Sequence, residues 1–569
     1  MSSTSSANGP RRWQRLFNTI RHLQPRQAWY FFLRRGIGAR AVTPFRGAIA
    51  QRRVVIPDLL RLQFGDSDYT DYAFDFLNRK LSFPRTAMRW NPSEAQRLWR
   101  YNLHYFDYLR EPARPLQQKC ALIDDWITHN PPGSEPAWEA YTASLRIVNW
   151  CLFFWSLPPA QIRESWLRSL YDQACWLERN LELHILANHY FENIKAMLFA
   201  AAFFDDRNSA RWLRNFQREL IAQLREQTLA DGGHYERSPQ YHCILLEDNL
   251  DLYSLLRANK TLFDAQTRIA LERTITAALQ FLTGIATPDD DIPLFNDSAS
   301  GVASRPSAIF AKAKALGFAV ELRSAGLINF PASGLFGWKN GSDYFAIDCG
   351  DIGPHYQPGH THCDFLSFVL MIDGQWLVVD SGVAEYEPGP LRQYVRSTAA
   401  HNTVLIDDQD QSEVWGEFRV GRRAANLGAA IKHDGNTIVF EGAYKGFPTV
   451  SAGIVHRRRV TLALSDNGNI RSVEIVDTVE GNDASAHRIV TLLHLHPAIA
   501  AEAGAQTVTL TRAGTTTACV DASVAIDVIS NRSWYCHQFG RRHDNLLLQI
   551  GGINTLPATL SYKISVANR

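Results

Sequence analysis

The segment Gly359–Phe365 reads GHTHCDF. Two imidazoles one residue apart, followed by a carboxylate, can hold a metal, take up a proton, or divide those tasks. If the segment is the start of a strand that continues into the apolar run FLSFVLMI, His360 and His362 share a face, because alternate strand side chains point the same way. Farther on, VVDSG sets Asp380 at the end of an apolar run, and RSTAAHNTV supplies His401. Two or three imidazoles with a carboxylate suit zinc. A histidine pair packed on a sheet fits the same residues.

Three other polar clusters interrupt apolar patterns. NHYFEN puts Asn188 and Glu192 one helical turn apart, and His189 and Asn193 likewise; Asn188 is also a good N-cap. DGGHYERSPQYH, from Asp231 to His242, is a loop shaped by glycine and proline that carries His234, Tyr235, Glu236, Arg237, Tyr241 and His242. Such a loop suits ligand contacts or a hydrogen-bonded domain junction. IPLFNDSASG places Asn296 and Asp297 after an apolar run, where a turn or N-cap fits as well as a site.

These clusters need elements to position them. Up to about Phe330 the pattern is helical: WNPSEAQRLWRYNLHYFDYLR, AWEAYTASLRIVNWCLFFWSL, NHYFENIKAMLFAAAFF, LEDNLDLYSLLRA and RIALERTITAALQFLTGIA repeat apolar residues at three- and four-residue spacing. A long series of amphipathic helix pairs points to a helical toroid or solenoid. Beyond Phe330 the texture is β. SGLFGWKNGSDYFAIDCG and FLSFVLMIDGQWLVVDSG each read as strand, Asn-Gly or Asp-Gly turn, strand. TIVFEGAY, RRRVTLAL, IRSVEIVDTV, HRIVTLLHLHP, VAIDVI and NLLLQIGG continue the series toward a large antiparallel sandwich. The expected architecture is a basic segment 1–50, a helical domain 51–330 and a β domain 331–569, with a cleft where the last two meet.

Composition narrows the function classes. A chain of 569 residues exceeds one ordinary core. With 46% hydrophobic and 20% charged residues it reads as globular and soluble, and a net charge of +2 does not point to nucleic acid. The eight cysteines are scattered without a CxxC pair, so buried thiols are expected. No apolar run approaches the ~18 residues of a membrane helix. The N-terminal segment is basic and partly amphipathic, suited to solvent or an anionic surface, and lacks a recognisable secretory signal.

Taken in order, WRYNLHYFDYL, NHYFENIKA, DGGHYERSPQYH, IPLFNDS, PGHTHCDFLSF, VVDSG and YVRSTAAHNTV resemble the heparinase II/III family of bacterial polysaccharide lyases, which includes alginate-lyase relatives. The resemblance implies an incomplete (α/α) toroid followed by an antiparallel β-sandwich, acting by β-elimination on an anionic, uronate-containing polysaccharide. It makes Asn188 the neutraliser of the uronate carboxylate, assisted by His189. Tyr241 becomes the catalytic tyrosine, and His360 a second base or base partner. It gives His362, Asp380 and His401 to a zinc ion near the cleft. Glu192, Glu236, Arg237, Tyr386 and Arg396 are expected to reach substrate. The family implies the cell envelope or periplasm, whereas the missing secretory signal suits the cytoplasm.

Two other readings fit the same residues. A glycoside hydrolase on the same helical scaffold needs two carboxylic acids roughly 5–9 Å apart, and Glu192, Glu236 and Asp297 are its candidates. A non-catalytic polysaccharide-binding or assembly factor needs none of the acid–base set.

Overall fold

Apolar spacing translates directly into helices in the first half of a computed structural model, which describes residues 9–567 apart from 39, 43, 66–68, 70 and 452. The first eight residues of the basic N-terminal segment lie outside the described residues. Two helices, Gly9–Ile20 and Pro25–Ile37, come first. The main helical series comes next, with Arg97–Tyr105, Leu116–His129, Ala140–Trp155, Glu164–Arg179, Ala187–Phe203, Arg207–Gln227, Pro239–Ala258 and Ala265–Ile285. The helix Ala187–Phe203 packs between its neighbours Ala140–Trp155 and Arg207–Gln227 and is buried almost all round. That burial explains its unbroken run MLFAAAFF, since an all-round apolar helix belongs in a core. Burying each large side chain here, such as Phe199 with no exposed surface, contributes about 1.5–3 kcal/mol.

A hairpin in the helical half, Asp71–Phe76 with Arg79–Pro84, departs from the all-helical expectation. Its two-residue turn, Leu77-Asn78, has φ of 56° and 59° at the two positions, the signature of a type I′ turn without glycine. Aromatic packing anchors it: Phe74 meets Tyr108 at 5.0 Å between ring centres, and Phe76 meets Trp99 at 5.2 Å.

The β half begins at Ala325, slightly before the expected boundary. A five-stranded antiparallel sheet runs Ala325–Phe330, Leu335–Asn340, Asp343–Asp348, Phe368–Ile372 and Gln375–Val378. The Asp373-Gly374 turn sits where the sequence puts it, whereas Asn340 ends its strand paired with Asp343 and the other turn is Gly341-Ser342. An eight-stranded sheet, a four-stranded sheet and two two-stranded ribbons complete the half, and residues of the three larger sheets share one apolar core. This is the arrangement of a sandwich.

The five-stranded sheet joins the halves. Along Asp343–Asp348, Phe345 and Ile347 enter the core between sheets, while Tyr344 and Ala346 enter the helical core. Both faces are covered, which is why FAID and FVLMI lack the usual polar alternation. One correction concerns GHTHCDF. Residues 359–365 are not strand but part of a long connection between two neighbouring strands, residues 349–367, which is buried from Pro358 onward. A loop of this length inside a compact domain is most often functional.

Candidate active site

Asn188 stands at the start of the helix Ala187–Phe203, after two residues forced into positive φ, Leu186 (65°) and Ala187 (54°). Non-glycine residues rarely occupy this region, and such strain collects at functional sites. The buried carboxylate of Glu236 holds Asn188 in place. It accepts the Asn188 backbone N–H at 3.0 Å and the side-chain amide at 3.1 and 3.2 Å. An amide nitrogen carries two hydrogens, and the same nitrogen lies 3.3 Å from His360 Nε2.

Tyr241 sits in the first turn of the helix Pro239–Ala258. Ser238 caps that helix by accepting the Tyr241 N–H, and Pro239 occupies the first helical position. The Tyr241 ring stacks on His360, with centres 3.9 Å apart, and its hydroxyl lies 3.3 Å from that of Tyr386. Burial pushes the Tyr241 hydroxyl above the usual phenol value, against the bond to Tyr386, so it keeps its proton at neutral pH.

Asp297 is the centre of the site. Its Oδ2 lies 2.9 Å from His360 Nδ1 and its Oδ1 lies 2.8 Å from His362 Nε2. Arg392 grips both oxygens from the other side, one of them at 2.8 Å. Burial works against the charge on Asp297, but Arg392 and the two histidines more than offset it and hold the carboxyl well below its usual range. The expectation of a shared strand face fails, yet the two histidines converge on one carboxylate. Asn296, at φ 56°, stitches the loops together. Its side chain accepts the His362 N–H at 3.0 Å and donates to the Arg237 carbonyl at 3.2 Å, and its own N–H donates to Asp364 at 3.1 Å.

His189 lies beside Asn188, held by Glu182 at 3.1 Å and packed on Tyr141 with ring centres 4.4 Å apart. Burial disfavours its charged form, but Glu182 outweighs that and raises its pKa. Asn193 supports the same carboxylate at 3.1 Å.

Three expected substrate contacts are corrected. The Arg237 guanidinium donates to the carbonyls of Ala332 and Ser333 at 3.0 and 2.6 Å, tying the helical half to the β half. Arg396 is 1% exposed and donates to the carbonyls of Thr361 and Gly416 at 3.2 and 3.1 Å, which holds the histidine loop. Glu192 joins a buried set with Lys195, Asp248 and Asp251; burial and Asp248 push its carboxyl well up, which favours its neutral form. Glu236 positions Asn188, while the Tyr386 hydroxyl lies 3.3 Å from that of Tyr241. The hydrolase reading loses its carboxylate pair, because Asp297 is fully buried and engaged by three partners and Glu192 faces Lys195 and Asp248.

Sequence reasoning misses Arg392 and Glu182. Arg392 lies one turn before Arg396 on the helix Pro390–Arg396, so both also reach the carbonyls of Gly416 and Glu417. The spacing LRQYVR carries that signal. Glu182 is marked only as a lone charge within the apolar run NLELHIL.

His362, Asp380 and His401 lie close together. His401 Nδ1 is 2.8 Å from Asp380 Oδ2, and the two imidazole centres are 5.3 Å apart. Among the described residues no three ligating side chains already converge on one point. Two nitrogens, His362 Nδ1 and His401 Nε2, are nevertheless buried without a hydrogen-bond partner. Asp364 lies nearby, and burial with Asp380 raises its carboxyl to about 6, against the pull of His401. Two orphaned imidazole nitrogens beside the carboxylates of Asp380 and Asp364 are donor types that suit zinc.

A family model described as Heparinase II/III N-terminus matches residues 99–316, and one described as Heparinase II/III-like, C-terminal, matches residues 322–552. A heparin-sulfate lyase of Pedobacter heparinus is 25% identical over 320 residues, covering 50% of this chain and 47% of that protein. A heparin-sulfate lyase of Bacteroides stercoris is 26% identical over 263 residues, covering 41% of this chain and 38% of that protein. The chain thus spans about half the length, or less, of these curated relatives. Among solved structures, one of heparinase III superposes with a TM-score of 0.66 at 16% identity, covering 97% of this chain and 93% of that one. A heparan sulfate lyase from Pedobacter heparinus gives 0.54 at 17% identity, covering 84% and 78%. At these identities the superpositions establish the shared fold, a helical domain followed by antiparallel sheets.

Proposed function

We propose that this chain, which belongs to the heparinase II/III family, is a lyase that cleaves a uronate-containing polysaccharide by β-elimination. The observation that carries the reading is the convergence of an amide, an imidazole and a phenol from both halves: Asn188 Nδ2 lies 3.3 Å from His360 Nε2, and His360 stacks on Tyr241 at 3.9 Å. The relatives, both heparin-sulfate lyases, agree with it.

The chemistry asks for three things. The C5 proton of a uronate becomes removable only when charge building on its carboxylate is stabilised. Asn188 supplies an N–H for this that no titration removes, and the adjacent His189, its charged form favoured by Glu182, adds a positive group. A base must take the C5 proton. Asp297, kept ionised by Arg392, accepts from His360 Nδ1, which leaves Nε2 as the lone-pair nitrogen. The electron pair of the C5–H bond forms the C4–C5 double bond as the C4–O4 bond breaks. Tyr241, still protonated because it is buried, gives its proton to O4. Glu236, 3.3 Å from His360 Nε2, then faces the imidazolium so formed.

The helical half is read as an incomplete (α/α) toroid that supplies Asn188, His189 and Tyr241. Zinc is assigned to His362, Asp380 and His401, where its charge would offset the buried acids and steady the loop that carries His360. The decisive experiment incubates the protein with alginate, heparan sulfate, hyaluronan and the producing organism's own exopolysaccharide and follows ultraviolet absorbance of the unsaturated product. Chain cleavage without that chromophore would overturn the reading.

A further inference from the structure

The described chain exposes fourteen large apolar side chains, and six of them lie between Trp13 and Phe32. Trp13, Phe17 and Ile20 recur at spacings of four and three on the helix Gly9–Ile20, so they share one face. Trp29 and Phe32 are three apart on the helix Pro25–Ile37. Trp13, Phe17, Trp29 and Phe32 are 73, 67, 63 and 70% exposed. Aromatic surface on this scale marks an interaction face.

The opposite sides of these helices are docked by polar bonds. Arg15 pairs with Glu413 at 3.1 Å, Thr19 accepts from the Trp415 indole at 3.1 Å, and Gln27 donates to the carbonyls of Ile185 and Tyr356 at 3.3 and 3.2 Å. Gln27 therefore ties the second helix to both halves.

Charge identifies what the face meets. Residues 1–57 contain eleven arginines and no lysine, aspartate or glutamate. The other 512 residues hold 48 basic against 57 acidic side chains, so a segment of +11 is joined to a body of −9. We propose that the helix pair Gly9–Ile20 and Pro25–Ile37 is an interfacial anchor that lays Trp13, Phe17, Trp29 and Phe32 into the surface of an anionic lipid bilayer. Short basic helices with Trp and Phe on the free side lie in the headgroup region, and tryptophan favours that boundary. At twelve and thirteen residues they are too short to cross a bilayer, which takes about 20 residues. A hydrated polyanion would use the arginines but gains nothing from exposed Phe17, Ile20 or Phe32. A second copy would set one +11 segment against another.

The test is co-sedimentation of the full chain with phosphatidylcholine vesicles with and without phosphatidylglycerol. The expected result is binding roughly tenfold or more stronger on the anionic vesicles, weakened by salt. It should be lost in the fourfold variant Trp13→Ser/Phe17→Ser/Trp29→Ser/Phe32→Ser, whose circular dichroism and melting should match the parent because these side chains are exposed. Arg21→Glu/Arg35→Glu, both exposed, should lose binding by a similar factor, and serves as the second test if the fourfold variant misfolds. The proposal is overturned by absence of vesicle binding, by equal binding to neutral vesicles, or by a fourfold variant that still sediments. It is equally overturned if the aromatic variant only loses affinity for a soluble polyanion, or only converts a solution dimer to a monomer.

Discussion

Asp297 Oδ2 lies 2.9 Å from His360 Nδ1, with the carboxylate buried and clamped by Arg392. This fixes the His360 imidazole without placing it on a regular element. The carboxylate comes from the loop before the helix Pro306–Ala315, the imidazole from the connection between two strands, and the guanidinium from the helix Pro390–Arg396.

Asp297→Asn tests that relationship. The amide no longer selects the tautomer with a free Nε2, so kcat should fall by about 10²–10⁴-fold with little change in KM. Removing the charge also leaves buried Arg392 without its partner, a loss of about 3–5 kcal/mol of stability. Kinetics on unsaturated product and a thermal melt read the two effects separately. A folded variant with parental kcat would remove His360 from the role of an oriented base.

Tyr241→Phe separates elimination from hydrolysis. The change removes one hydroxyl that, among the described residues, bonds Tyr386 at 3.3 Å, so stability should move by no more than about 1.5 kcal/mol. Without the proton donor, the rate of product formation should drop by about 10²-fold or more. Glu236→Gln should also lose activity, through misplacement of Asn188. If Tyr241→Phe stays fully active while Glu236→Gln is dead, the chemistry is hydrolytic.

Much of this architecture is legible in the sequence, and the failures have physical reasons. The Asp373-Gly374 turn of the five-stranded sheet and the helices over LEDNLDLYSLLRA and RIALERTITAALQFLTGIA come from local periodicity and turn chemistry. Asn188, Tyr241 and His360 show in the sequence as members of polar clusters; the roles given to them come from the family resemblance, and the tertiary fold brings the three together. Arg237 and Arg396 escape a sequence reading because their partners are backbone carbonyls brought close only by the tertiary fold. Arg392 and Asp297 are underrated for a similar reason, since residues 95 positions apart form one clamp that no local pattern reports.

His189 carries a pH prediction. Burial opposes its charge, and Glu182 overcomes this and raises the pKa above 6.5; Glu182 in turn is lowered below 4.5 despite its burial, chiefly by His189. The histidine contribution is complete below 6.5 and is lost as pH rises through the raised folded value. The glutamate contribution is complete above 4.5 and is lost as pH falls through the lowered folded value. The stability difference between parent and Glu182→Gln should therefore peak between pH 4.5 and 6.5 and shrink on either side. Histidine NMR titration should show the His189 pKa falling in the variant. An unchanged value would mean that Glu182 does not govern this ring.

Metal content gives the last test. If His362, Asp380 and His401 hold zinc, purified protein should contain about one ion per chain by elemental analysis. His362→Ala removes one of three protein ligands and should leave the metal readily stripped by chelator. It should also lower the melting temperature, because His362 Nε2 is one of three groups holding Asp297. Stoichiometric zinc in His362→Ala would remove His362 from the ligand set and leave it as a support for Asp297.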